Sequence, residues 1–244
     1  MLIKDSGIVL ATGRTGETSL TVLFLGRRSG KVRLLAKGAM SAKHPTRGVL
    51  EPGNEIEIVC YYRDGQATHY LKEASLVGKS PVARDSLPHL AANLAALELL
   101  NQVCVPGASL DDTVVDTASE FLSAAKGADP MLVFLAFAIK LLGALGLSPD
   151  TVACVHCGAA PDDGLYSPRD GVSFCAEHRA PMAESVSLTA DVVSAAARCA
   201  TASYPAIAGE AVSKGVRKEL GRLVHWTYTY HVHGYQLPRS LSLI

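Results

Sequence analysis

Residues 7–38 read GIVLATGRTGETSLTVLFLGRRSGKVRLLAKG, and they consist of three short apolar runs separated by turns rich in Gly, Ser and Arg. Within each run apolar side chains recur with a period of two, which is typical of strands with one buried face. Two similar runs follow, NEIEIVCYY at 54–62 and THYLKEASLV at 68–77. Five short strands, with a longer connection between the third and the fourth, predict a small closed barrel of the OB-fold type. An SH3-like barrel is the main alternative.

The apolar spacing becomes helical after residue 83. Helical patterns run through 86–104, 110–126 and 129–146, and again through 188–201 and 210–233. The most apolar stretch, 131–147, carries Lys140 and is shorter than the ~20 residues that a membrane-spanning helix needs. We therefore expect a buried core helix there and no contact with a membrane. Because the N-terminus has no signal-peptide pattern, we expect a cytoplasmic protein.

The composition excludes a disordered chain and suggests where a charged partner would bind. With 48% hydrophobic and 19% charged residues, the 244-residue chain is typical of a globular protein. The net charge is zero, but residues 1–80 hold twelve Lys or Arg against seven Asp or Glu, and residues 81–150 hold three against eight. This asymmetry predicts that the N-terminal part alone binds a polyanion.

A metal-ligand pattern, C-x2-C-x17-C-x2-H, is formed by Cys154, Cys157, Cys175 and His178. Each short pair directs two ligands toward one point, and the intervening span lets the two pairs complete a tetrahedron around Zn²⁺. That span is rich in Pro and Gly, which favours a ribbon of tight turns over a helix. The spacing predicts a zinc ribbon, in which His156 is an alternative to His178 as the fourth ligand.

Catalytic and redox roles for this motif are weaker interpretations. A catalytic zinc keeps one coordination position for water, whereas four protein ligands would fill the shell. Glu177 could act as a general base, but the H-x-E that precedes P-C-x-x-C in zinc deaminases is missing from the sequence. A thioredoxin-like C-x-x-C belongs beside a βαβ unit, and the surroundings here are helical. We expect a structural zinc, and we expect no enzyme activity.

A basic stretch within the predicted barrel is the candidate nucleic-acid site. Between residues 14 and 47, Glu17 is the sole acidic residue. The basic residues of the stretch are Arg14, Arg27, Arg28, Lys31, Arg33, Lys37, Lys43 and Arg47. Because Phe24 is the only aromatic residue in it, we expect mainly electrostatic binding, with strong salt dependence and little sequence preference.

Four segments together resemble the RecO family of bacterial recombination mediators. They are 7–40, which includes AKGA at 36–39; GVLEPGNEIEI at 48–58; CVHCG at 154–158; and YSPRDGVSFCAEH at 166–178. The resemblance covers essentially the whole chain in order and spacing. The chain departs from the family pattern at His178, which stands in place of a fourth cysteine, and at Met40, which stands where an arginine is common.

The resemblance implies a mediator that binds single-stranded and double-stranded DNA and anneals complementary strands. It also implies association with RecR and with single-strand-binding protein, and help in loading RecA onto coated single strands. A nucleoid-associated position in the cytoplasm would follow. The alternatives are a zinc-dependent nucleic-acid-modifying enzyme and an RNA-binding accessory protein.

The expected fold is therefore α+β and multidomain, with an N-terminal OB-fold barrel followed by a helical domain that carries an inserted zinc ribbon. The predicted bounds are 1–80 for the DNA-binding barrel, 81–150 for the first helical part, 151–182 for the ribbon and 183–244 for the second helical part.

Overall fold

The computed structural model describes residues 1–41, 46, 48–63, 65–77, 86–108, 111–124, 129–180 and 182–244. The chain divides into two compact units, Met1–Ala124 and Ala125–Ser242. Across the described ranges, no helix combines the length and the apolar character that crossing a membrane would require.

The first unit contains a closed five-stranded barrel, as predicted. Its strands are β1 (Leu2–Thr15), β2 (Ser19–Gly26), β3 (Gly30–Ala36), β4 (Glu55–Tyr61) and β5 (Thr68–Leu76). The order around the barrel is β1-β2-β3-β5-β4, and β4 pairs with β1 to close it. All pairs are antiparallel except β3 with β5, which is parallel. The structure thus confirms the OB-like barrel.

The period-two pattern explains which side chains fill this barrel. Val32, Leu34 and Ala36 of β3 are buried, and so are Ile56 and Ile58 of β4. Alternate residues of the same strands point outward because successive side chains on a strand face opposite sides. The period-two pattern, with one buried face on each strand, is therefore confirmed for β3 and β4.

A buried carboxylate holds the hairpin turn between β2 and β3. Asp5, which is 4% exposed, accepts hydrogen bonds from the backbone N–H groups of Arg28 and Ser29 and from the Ser29 hydroxyl. Gly30 closes the turn with a φ of 62°, a conformation that favours glycine. The position of Arg28 is consequently fixed by the barrel itself.

Two helices complete the first unit, α1 (Leu87–Val103) and α2 (Asp112–Ala124). Helix α1 is buried on most sides, whereas α2 buries one face, which includes Val115 and Phe121. These helices share a unit with the barrel, while the third predicted helix lies in the second unit. The domain bounds at residues 80, 150 and 182 stay a prediction.

The second unit is built around an apolar helix. Its elements are α3 (Pro130–Ala144), β6 (Gly164–Ser167), β7 (Val172–Phe174), β8 (Val186–Leu188), α4 (Ala190–Thr201), α5 (Tyr204–Ala208) and α6 (Lys214–His231), and a 3₁₀ turn at Arg239–Leu243 follows. Helix α3 is buried almost throughout, which confirms the predicted core helix. Asp129 caps its N-terminus by accepting from the Leu132 N–H. Strand β8 and the short helix α5 were not predicted.

Candidate metal centre and nucleic-acid interface

Two turns bring the predicted metal ligands together. Cys154 and Cys157 lie in the turn that precedes β6, and Cys175 and His178 lie just after β7. Each turn is closed by backbone hydrogen bonds, from the Gly158 N–H to the Cys154 carbonyl and from the His178 N–H to the Cys175 carbonyl. The turns are aligned beside each other because the Cys154 segment forms a β-bridge with β7.

The distances within this cluster fit a tetrahedral zinc site. The ligand atoms of Cys154, Cys157, Cys175 and His178 all lie within 4.8 Å of one another. The Cys157 and Cys175 sulfurs are 3.8 Å apart, and His178 Nδ1 is 3.7 Å from the Cys154 sulfur and 3.2 Å from the Cys175 sulfur. Ideal zinc bonds of about 2.3 Å to sulfur and 2.0 Å to nitrogen give roughly 3.8 Å between sulfurs and 3.5 Å between sulfur and nitrogen. The four residues could therefore hold one Zn²⁺.

The surroundings of Cys154 and Cys175 favour the thiolate form that binds a metal. The Ala159 N–H lowers the pKa of Cys157, but burial and hydrogen bonds to Cys154 and Cys175 outweigh it, so that this pKa is raised. Burial, the largest single influence, raises the pKa of Cys154, but backbone N–H groups of Cys175, Cys157 and His156 outweigh it and lower the pKa to about 6. The hydrogen bond between Cys175 and His178 lowers the pKa of the Cys175 thiol and raises the pKa of the His178 imidazole. Since thiolates are the zinc ligands of cysteine, this environment suits metal binding.

The other candidates for a role at this site lie outside the cluster. The exposed His156 ring packs 5.6 Å from the Phe174 ring and 5.4 Å from the His178 ring, centroid to centroid. The exposed Glu177 is not among the clustered groups either. The geometry favours His178 over His156 as the fourth ligand.

The described basic residues of this stretch differ in whether they form ion pairs or hydrogen bonds within the fold. Arg27 is half-buried and forms an ion pair with Asp116 of α2 at 2.6 Å and a longer one with Glu55 at 3.9 Å. The hydrogen bond to Asp116 is the main reason that the pKa of Arg27 is raised. Arg27 therefore already has compensating negative charge.

Lys31 has an equally well-defined structural contact. The residue is 9% exposed, and its ammonium group donates to the backbone carbonyl of Asn101 at 2.5 Å and to the Asn101 side-chain oxygen at 2.9 Å. Asn101 lies in the last turn of α1, where carbonyl groups have no partner within the helix and a cation is favourable. Burial lowers the pKa of Lys31. Lys31 thus joins β3 to the end of α1.

Of the six predicted basic residues that the structure describes, four are exposed. Arg33 and Lys37 lie on or next to β3, Arg14 lies near the end of β1, and Arg28 lies in the β2–β3 turn. Within the described ranges, Arg14, Arg28 and Arg33 form no ion pair, and Lys37 lies over the ring of Tyr70. The predicted residues Lys43 and Arg47 lie outside the described residues. Sequence patterns gave no sign of Asn101 or Asp116 as partners, because each is more than sixty positions away from the residue it binds.

Comparison with known proteins assigns both parts of the chain to one family. A model of the N-terminal part of recombination protein O matches residues 1–79, and a model of its C-terminal part matches residues 84–240. Similar proteins named DNA repair protein RecO occur in Anaeromyxobacter dehalogenans (27% identical over 220 residues, covering 89% of this chain and 86% of the relative) and in Prosthecochloris aestuarii (27% over 188 residues, 71% and 70%). The protein of that name from Bacillus subtilis is 27% identical over 178 residues, which cover 72% of this chain and 68% of the relative.

The OB-like barrel, the helical part with its cysteine and histidine cluster, and the family models that match both parts all agree. The chain belongs to the RecO family of DNA repair and recombination proteins.

Proposed function

We propose that this chain is a recombination mediator that binds single-stranded and double-stranded DNA without sequence specificity. The observation that carries the proposal is the exposure of Arg33 and Lys37 along β3, with Arg14 and Arg28 exposed toward the two ends of the same sheet. At about 3.3 Å per residue, the stretch from Gly30 to Lys37 extends over roughly 23 Å and can reach several phosphates. Phosphate contacts fix the position of DNA but carry no sequence information, which accounts for the proposed lack of specificity.

Annealing would follow from the same surface. Two complementary strands repel each other through their phosphates, and a protein that neutralises these charges releases counterions and brings the strands together. The exposed guanidinium groups of Arg14, Arg28 and Arg33 provide such charges. We propose that the barrel promotes annealing in this way, in the cytoplasm and on the chromosome.

Partnership with RecR and single-strand-binding protein, and the loading of RecA onto coated single strands, are also proposals that rest on family membership. A cleft of about 430 Å³ in the second unit suits a docked protein segment. Its lining includes Phe134 and Leu135 of α3, Val224 of α6, and Leu237 and Arg239 of the C-terminal segment. We place the contact with single-strand-binding protein there.

The metal centre is assigned a structural role. Four protein ligands fill a tetrahedral shell, so a bound zinc would have no free position for a substrate or an activated water. The ribbon strands have only three or four residues each. A zinc ion that links the two turns would stabilise this small sheet. We accordingly propose a mediator that is not an enzyme.

The decisive experiment is annealing of complementary strands by wild-type protein and by the double variant Arg33→Glu/Lys37→Glu. We expect the variant to anneal poorly and to bind both forms of DNA weakly. The slope of log K against log salt on single strands should decrease in magnitude by about 1.4, because two contacts at about 0.7 each are lost. Wild-type annealing by the variant would contradict the proposed surface.

A matched control reverses two exposed lysines of the second unit, Lys214→Glu/Lys218→Glu. This change alters the net charge by the same amount but should leave the salt slope unchanged. Competition between single-stranded DNA and RNA of the same sequence tests the alternative of an RNA-binding accessory protein. A strong preference for RNA would contradict the mediator proposal.

A further inference from the structure

Two exposed tyrosines lie side by side on the outer wall of the barrel. Tyr61 is 51% exposed and Tyr70 is 45% exposed. They are direct cross-strand partners, on β4 and β5 respectively. Side chains in such pairs have Cβ atoms about 4.5–5.5 Å apart. The barrel thus presents two aromatic side chains to solvent at one place, although aromatic residues as large as tyrosine usually bury most of their surface.

A second pair of rings lies next to the two tyrosines on the same strand ends. The next residues along the strands, Tyr62 and His69, stack with their ring centroids 4.1 Å apart and their planes 22° apart. His69 is 4% exposed, and its Nδ1 accepts a hydrogen bond from the Arg63 N–H. This second pair thus links the ends of β4 and β5 beside Tyr61 and Tyr70.

A cation from the basic stretch lies directly at this aromatic pair. The Lys37 ammonium is 4.8 Å from the centroid of the Tyr70 ring, a distance typical of a cation–π contact. β3 pairs with β5 so that Leu35 is opposite Tyr70 and Arg33 is opposite Thr68. Arg33 and Lys37 therefore flank the strand position that faces Tyr70.

The charge around the pair favours an anionic ligand. Arg33, Lys37 and Arg63 are all exposed nearby. The acidic residues on the same strands already have cationic partners, since Glu57 is paired with Lys4 at 2.9 Å and Glu73 with Lys72 at 3.0 Å. A ligand with a π face and an adjacent negative charge would satisfy both the tyrosines and the cations.

We propose that Tyr61 and Tyr70 form a nucleobase-stacking subsite, in which Lys37 and Arg33 hold the phosphates of the nucleotides whose bases stack on the rings. This inference rests on the proposed DNA binding and extends it. The faces of the bases are accessible in a single strand and are stacked on one another in a duplex. The subsite therefore gives the barrel a preference for single-stranded DNA that basic residues alone would not provide. It also gives stacking a larger part in the binding than the mainly electrostatic binding expected from the sequence.

The test compares binding of a single strand with binding of an abasic strand of the same length, which has the phosphates but lacks the bases. Fluorescence anisotropy at one fixed salt concentration measures both affinities. Wild-type protein should bind the base-bearing strand more tightly, by about 5-fold to 150-fold for each stacked base. The variant Tyr61→Ala/Tyr70→Ala should lose this preference, while its affinities for the abasic strand and for duplex DNA stay unchanged.

Two further variants separate stacking from other effects. Tyr61→Phe/Tyr70→Phe keeps the ring faces and should keep the preference, whereas a role of the hydroxyl groups would make it behave like the alanine variant and overturn the proposal. Leu76→Ala removes another exposed apolar side chain of β5, 39% exposed, and should have no effect. If Tyr61→Ala/Tyr70→Ala lost the same amount of affinity for the base-bearing strand and for the abasic strand, the tyrosines would not stack on bases.

The result also distinguishes this inference from the proposed function. If wild-type protein binds neither single strands nor duplexes, the proposed DNA-binding function is wrong. If it binds both, with no difference between base-bearing and abasic strands, the stacking subsite is wrong and the electrostatic surface remains. The wild-type comparison alone decides this, so it holds even if the alanine variant is unstable.

Discussion

The barrel and the ribbon are both small β-structures, but different interactions hold them together. The barrel has strands of seven to fourteen residues that enclose a core with Phe24, Leu34 and Ile56 fully buried. The ribbon strands have three or four residues, and the turns beside them carry the metal ligands. Closing a sheet into a barrel removes its edges and encloses apolar side chains, whereas a three-stranded ribbon has little interior.

Because of this difference, the stability of the two regions should depend on different interactions. The free energy of unfolding of the barrel should depend on the volume of its apolar side chains. The stability of the ribbon should depend on metal binding, since structural zinc sites bind with about 10–16 kcal/mol and that energy is available only to the folded form. Variants directed at each region can test the contrast.

The largest effect is expected for Cys175→Ser. Removing one thiolate should abolish tight zinc binding and unfold the ribbon, because the remaining ligands cannot complete the tetrahedron. The zinc content of the purified protein measures the loss of the metal. Trp226, the single tryptophan of the sequence, lies in α6, and its fluorescence reports unfolding of the second unit. Hydrogen exchange in β1–β5 should change little.

Cys199→Ala is the matched control, because Cys199 is a buried thiol of the same unit that lies outside the cluster. It should retain one zinc per chain. A Cys175→Ser protein with normal zinc content, or one that has lost zinc without loss of stability, would contradict the view that the metal holds the ribbon.

Phe24→Ala should have the next largest effect, and it should act on the other region. Removing this fully buried ring leaves a cavity in the barrel and should lower the free energy of unfolding by about 3–5 kcal/mol. Denaturant unfolding, monitored by hydrogen exchange of the barrel strands, measures this change in free energy. The zinc content should stay at the wild-type value. If the variant lost zinc as well, the two regions would not be energetically separate.

Lys31→Met tests whether a basic residue of the barrel serves folding or DNA binding. The loss of its two hydrogen bonds to Asn101 should lower the free energy of unfolding by about 1–2 kcal/mol. This is somewhat less than two charged hydrogen bonds usually contribute, because the substitution also removes the cost of burying a charge. The salt slope for DNA binding should stay at the wild-type value, in contrast to Arg33→Glu/Lys37→Glu. A smaller salt slope for DNA binding, with an unchanged free energy of unfolding, would mean that Lys31 contacts DNA.

The smallest effect is expected for His156→Ala. Because His156 is exposed and lies outside the ligand cluster, zinc content should be normal and stability should change by less than about 0.5 kcal/mol. His178→Ala, by comparison, should lose most of its zinc affinity. If His156→Ala lost zinc and His178→Ala kept it, His156 rather than His178 would be the fourth ligand.

The parts of the structure that follow from local patterns were predictable from the sequence. The alternation in β3 and β4 identified their buried residues, since a strand places successive side chains on opposite faces. The C-x2-C and C-x2-H pairs identified the cluster, since each pair lies within one turn. The apolar run in α3 likewise identified a core helix.

Other features depended on residues that are distant in the sequence. Strand β8 has three residues, too few for a periodic signal, and it forms because its backbone pairs with β6. The five-residue helix α5 is also too short to be recognised by its spacing. The choice between His156 and His178 required the relative position of the two turns, which the bridge between Cys154 and Ser173 sets.

The sequence by itself determined the longer strand and helix patterns, the C-x2-C and C-x2-H pairs and the presence of a basic stretch, because all of these are spaced by local backbone geometry. Only the tertiary structure decided which of the described basic residues have partners within the fold. Lys31 and Arg27 contact Asn101 and Asp116 of the helices, while Arg33 stays exposed and Lys37 lies against Tyr70. The physical reason is that a charge is available to a ligand only if no partner within the fold already compensates it, and those partners are brought near by folding rather than by sequence.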